Sequence, residues 1–111
     1  MNIFRKDSAR FDEANYENWK GKMKMHLLYM GLGYWLLTKD NKNIKEESKL
    51  EECSEAEGYM VMSNMRAKEA LLSALPKNEY IQVNSLYTSH KIWKALESTF
   101  EGDTNEKRKR F

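Results

Sequence analysis

Three apolar stripes at helical spacing, with almost no residue between them that would break a helix, constrain this chain most. Tyr16, Trp19, Met23, Leu27 and Met30 recur at steps of three and four. That spacing puts them on one face of a helix from about Asn15 to Met30. A second stripe comprises Met62, Met65, Leu72 and Leu75, with Ala67, Ala70 and Leu71 beside it, in a segment from about Glu46 to Leu75. A third comprises Ile92, Trp93, Leu96 and Phe100, in a helix from about Ser89 to Phe100. The chain has one Pro and five Gly in 111 residues, so long helical runs meet few obstacles. The expected fold is all-α, a small bundle of about four or five helices in a single domain covering residues 1–111.

The helix ends carry their own signals. Asn15 suits an N-cap, and Gly31 suits a left-handed residue after Met30. Leu32, Tyr34, Trp35, Leu36 and Leu37 form an apolar cluster of one or two helical turns, with a strand as the competing reading. Thr38 to Asn43 reads as a solvated loop. The second segment holds two capping boxes, Ser48 with Glu51 and Ser54 with Glu57, which give an early or a late start. Gly58 is a conceivable break. Pro76 ends the segment. Lys77 to Ser85 reads as a short helix or turn. Thr88 caps the third helix, Gly102 closes it, and Asp103 with Glu106 opens another, as in a piece of a longer protein. Residues 1–10 read as an extended arm, and Phe11 as an isolated apolar residue able to fold back.

Composition narrows the function classes. Apolar residues at 41% and charged residues at 32% suit a globular domain rather than a disordered tail. The net charge of +2 gives no global pull toward nucleic acid, so any basic surface must be local. The single Cys53 cannot form an internal disulfide, which favours a reducing compartment. The polar start of the chain does not resemble a secretory leader. No apolar run reaches the ~20 residues of a membrane span. The expectation is an intracellular, cytoplasmic protein with no membrane association.

No residue pattern points to catalysis. His26 and His90 are far apart and lack ligands at metal-binding spacing. Cys53 sits among Glu51, Glu52 and Glu55, surroundings unsuited to activating a nucleophile. No phosphate loop or nucleophile elbow is present. The expectation is a non-enzyme with no cofactor, no metal site and no catalytic residue.

Three stretches carry a family likeness. The first runs from Phe11 through Asn15-Tyr16-Glu17-Asn18-Trp19-Lys20 to Met23, Leu27 and Gly31-Leu32. The second is Ala67 to Leu75. The third, and most specific, is Thr88-Ser89-His90-Lys91-Ile92-Trp93-Lys94-Ala95-Leu96-Glu97-Ser98-Thr99-Phe100-Glu101-Gly102. In order and spacing they resemble the N-terminal capsid region of copia-type LTR retrotransposon Gag polypeptides. The resemblance implies a capsid N-terminal-domain-like bundle whose full-length parent self-associates into virus-like particles around the element's RNA. Lys91 departs from the family's usual Glu and leaves Thr88 without a capping-box partner.

The interaction residues follow from this reading. Trp19 and Trp93 are expected in the core together with Leu72. Tyr34, Trp35, Met25 and Met60 are the candidate contacts for self-association or another partner, because aromatic and Met side chains outside a core stripe suit adaptable interfaces. Lys107, Arg108, Lys109 and Arg110 form the one dense basic run and are the candidate RNA contact, against the plainer reading as a solvated helix face. Two other functions remain open on the residues alone. One is a domesticated helical adaptor, from a host gene derived from such an element, that binds a host protein or peptide, and the other a small RNA-binding module using that basic run.

Overall fold

The computed structural model describes the backbone of residues 15–109 and the side chains of residues 15–101. The expected arm (1–10) and Phe11 lie outside the described residues. Within them the chain is all-α, with five helices, one 3-10 segment and no strand.

Helix α1 (Tyr16–Met30) buries Tyr16, Trp19, Met23 and Leu27 of the expected stripe, and Met30 at its end is only partly buried. Asn15 holds the N-cap position, but its side chain makes no capping bond, because φ −105° and ψ 10° keep it within a helical turn rather than extended. Gly31 ends α1 at φ 153° and ψ 145°, not in the left-handed helical conformation expected of it. A Cβ there would be strained by that φ and would meet the Tyr34 ring at 3.2 Å. The chain therefore turns in one residue, and helix α2 (Leu32–Lys39) begins at once.

The apolar cluster is thus helical, and α2 runs further than the sequence suggests. Thr38 and Lys39 belong to it, and Thr38 is fully buried rather than in a solvated loop. Its hydroxyl bonds the Tyr34 carbonyl (2.9 Å) and pairs with the Ser89 hydroxyl (3.0 Å), which satisfies the buried group.

The late capping box starts helix α3 (Glu55–Ser73). The Glu57 N–H donates to Ser54 Oγ (3.2 Å), and the Ser54 N–H donates back to Glu57 Oε1 (2.9 Å). The stretch containing Ser48 and Glu51 forms only the 3-10 segment Glu47–Glu52, kinked at Lys49. Gly58 lies inside α3 and does not break it. Pro76 separates α3 from helix α4 (Lys77–Val83), whose Val83 enters the core.

Helix α5 (Ser89–Lys109) is capped by Thr88, whose Oγ1 accepts from the Lys91 N–H at 3.1 Å. The cap forms without a capping-box partner. Gly102 does not close α5, and Asp103 starts no new helix, because the backbone stays helical through both. A glycine in a helix costs only about 1 kcal/mol against alanine.

The core joins α1, α3 and α5, with α2 packed on all three. A ladder of rings runs through it. Phe100 stacks on Tyr16 (5.1 Å), Tyr16 on Trp19 (6.1 Å) and Trp19 on Trp93 (6.2 Å), and Trp35 meets Trp93 edge-on (5.4 Å, 81°). Such pairs add about 0.5–1.5 kcal/mol each beyond their burial.

Helix α3 departs from the expected register. Its buried side chains are Val61, Ser63, Asn64, Ala67 and Leu71. Leu71, not Leu72, meets Trp19 and Trp93 in the core cluster. Leu72 only packs against that cluster, and Met62 is exposed. The physical reason is Asn64. Its amide nitrogen donates to the Tyr87 carbonyl (3.0 Å), and its amide oxygen accepts from the Ser89 N–H (2.9 Å). Those two bonds draw a polar side chain inward and turn the helix by about one residue, ~100°.

Candidate self-association surface

The turn at Gly31 leaves apolar side chains outside the core. Leu32 starts α2 and Tyr59 lies in the second turn of α3, and they are 62% and 70% exposed. With Met30, Tyr34, Leu36 and Met60 they line an open groove of about 620 Å³ between α2 and α3. Gly33 leaves the α2 side of this surface open, since nothing lies within 4 Å of where its Cβ would be. Tyr34 is held in place there by Arg66, whose Nη1 donates to its hydroxyl at 3.2 Å.

The four candidate contacts are not brought together. Tyr34 and Met60 share this groove. Met25 lies on the outward face of α1, one turn from Tyr29, and both are highly exposed. Trp35 turns the other way. It packs against the core and lines a second groove, where α1, α2 and α5 meet, with Glu17, Lys20, Lys24, Lys39, Trp93, Lys94 and Glu97. Of the candidate RNA contacts, Lys107, Arg108 and Lys109 belong to the last turns of α5, and their side chains lie outside the described residues. Arg110 lies outside them entirely.

The second groove has a fixed polar wall. Lys20 Nζ bridges Glu97 (2.8 Å) and Glu101 (2.6 Å), and the Tyr16 hydroxyl donates to the same Glu101 oxygen (3.0 Å). Burial alone would lower the Lys20 pKa, but the bonds to Glu101 and Glu97 more than offset it and hold the amine above its ordinary value. Burial, reinforced by Glu101, pushes the Tyr16 phenol far above its usual range. Burial would raise the Glu97 carboxyl, yet Lys20 and Lys94 keep it below its ordinary value.

Lys24 Nζ stands 5.3 Å from the Trp35 ring centroid, a cation–π contact. Sequence reasoning missed this groove. The only local signal was the four-residue spacing of Lys20 and Lys24, since Trp35, Lys39 and Lys94 come from other helices.

His90 Nδ1 donates to the Thr38 carbonyl at 3.1 Å, at the junction of α2 and α5. His26 is half-buried in α1, and burial lowers its pKa. Among the described residues no group of three or more His, Cys, Asp or Glu is arranged to hold a metal ion. No helix among them is long and apolar enough to cross a membrane. Compared with protein-family models, with curated proteins and with solved structures, the chain matches none.

Proposed function

We propose that this chain is a non-enzymatic assembly domain of the copia-type Gag kind, working inside the cell, whose copies associate as parts of a larger shell. The observation that carries this reading is the apolar groove between α2 and α3, where Leu32 and Tyr59 stand largely in water. Side chains of this size stabilise by about 1.5–3 kcal/mol each when fully buried. Two or three of them leave only a weak pairwise contact after the cost of association. Weak contacts repeated by symmetry suffice for a closed assembly. The likeness of residues 11–32, 67–75 and 88–102 to capsid N-terminal regions supports the same reading, and RNA would be enclosed through other regions of the parent protein.

Sedimentation equilibrium over a wide concentration range tests it. The weight-average mass should rise with concentration. Leu32→Glu with Tyr59→Glu should weaken the association by about tenfold or more while leaving helicity unchanged. A chain that stays monomeric at the highest concentrations and captures one other protein would instead be a helical adaptor, and the assembly reading would fall.

A further inference from the structure

Resting on the assembly reading, we infer that a second contact joins copies head to tail, with the acidic segment of one copy seated in the lysine–tryptophan groove of the next. The groove holds about 420 Å³ where α1, α2 and α5 meet. Its floor is the half-buried Trp35 beside Trp93, and its rim carries Lys20, Lys24, Lys39 and Lys94. Lys20 is committed to Glu97 and Glu101, and Lys94 shares Glu97 at 3.0 Å. Lys24 and Lys39 have no carboxylate within ion-pair distance among the described residues. Gly21 keeps the α1 side open, since nothing lies within 4 Å of where its Cβ would be. The groove therefore offers an apolar floor whose lining carries four lysines against two carboxylates, Glu17 and Glu97.

The complementary surface is on the same chain. The 3-10 segment Glu47–Glu52 and the start of α3 expose Glu46, Glu47, Glu51, Glu52 and Glu55, with Leu50 among them 37% exposed. None of these five glutamates lies within ion-pair distance of a cation among the described residues. A half-exposed leucine in a segment of five exposed glutamates and one exposed lysine, Lys49, is complementary to an indole bordered by lysines.

The segment is tied to α3 and Tyr87 rather than to its own groove. The Tyr87 hydroxyl donates to the Lys45 carbonyl, Lys45 pairs with Glu57 at 3.2 Å, and the Cys53 N–H bonds the Leu50 carbonyl at 3.1 Å. Glu47 lines a different groove, beside Lys68, Tyr80 and Tyr87. The occupant we assign is therefore the segment of a second copy, and a pre-ordered segment costs little to immobilise. Because the two surfaces differ, the contact is heterologous and propagates into rings or chains, whereas a self-matched contact stops at a pair.

Charge exchange tests this. Two variants are made, Lys24→Glu with Lys39→Glu, and Glu51→Lys with Glu52→Lys, both at surface positions whose folding circular dichroism can confirm. Association is followed by sedimentation velocity at about 0.05 M and about 0.5 M salt, where screening differs strongly. Wild type should associate about tenfold more weakly at high salt, each variant alone about tenfold more weakly at low salt, and an equimolar mixture of the two should regain wild-type association. Self-association that ignores salt and both variants overturns this contact and leaves the assembly reading standing, as does failure of the mixture to recover. A chain monomeric under every condition removes both. If the lysine variant loses binding to a single-stranded oligonucleotide while self-association is intact, the groove serves a polynucleotide and the inference is overturned.

Discussion

Replacing Asn64 by alanine tests the account of how α3 is seated. The side chain is 1% exposed and bridges the Tyr87 carbonyl and the Ser89 N–H. Truncation leaves two backbone groups without their partner, each worth about 1–3 kcal/mol when buried. Tyr87 is half-buried, so its carbonyl regains water and takes the low end, while Ser89 is fully buried and takes the middle or high end. The loss of about 2–4 kcal/mol corresponds to a fall in Tm of about 10–25 °C for a domain of this size. Urea unfolding followed by circular dichroism measures it. Asn64→Leu keeps the volume but strands the same two groups, so it should cost at least about 1 kcal/mol. Met62→Ala, at an exposed position of the stripe read from sequence, should change stability by no more than about 0.5 kcal/mol. If Asn64→Ala were as mild as Met62→Ala, the bridge would not be what sets the register of α3, and the reasoning would fail.

The other predictions concern helix starts and pH. Ser54→Ala should cost about 1 kcal/mol by removing the cap of α3, whereas Ser48→Ala, at a serine that caps no α-helix, should be close to neutral by the same unfolding measurement. The Glu97 carboxyl lies below its ordinary 4.5, so its contribution is present above that pH and is lost as pH falls through the folded value. A Glu97→Gln variant should therefore show a shallower fall in Tm than wild type below about pH 4.5. At the alkaline end, the raised Tyr16 phenol stabilises the fold up to its unfolded pKa of 10.0 and progressively less above it. Tyr16→Phe should flatten that alkaline fall, and an unchanged alkaline slope would contradict it.

Much of the fold was legible in the sequence. The α1 stripe of Tyr16, Trp19, Met23 and Leu27 is buried as read, and Ile92, Trp93 and Leu96 likewise on α5. These positions are apolar at every core step, so period alone fixes the face. Ser54 with Glu57, Pro76 and Thr88 marked helix ends correctly because capping and proline geometry are local to a few residues. The Gly102 signal failed for the converse reason, since a glycine only weakens a helix and does not oblige it to stop.

What the sequence determined by itself is therefore the helical class, the inward faces of α1 and α5, and most of the ends. The tertiary structure alone decided the rotation of α3 about Asn64, the burial of Thr38, the split of Tyr34 and Met60 from Trp35, and the meeting of lysines from three helices around one indole. The division has one physical cause. Helix formation and capping depend on neighbours within about one turn, whereas a buried polar bond or a shared groove depends on partners that only packing brings near, such as Asn64 and Ser89, 25 positions apart.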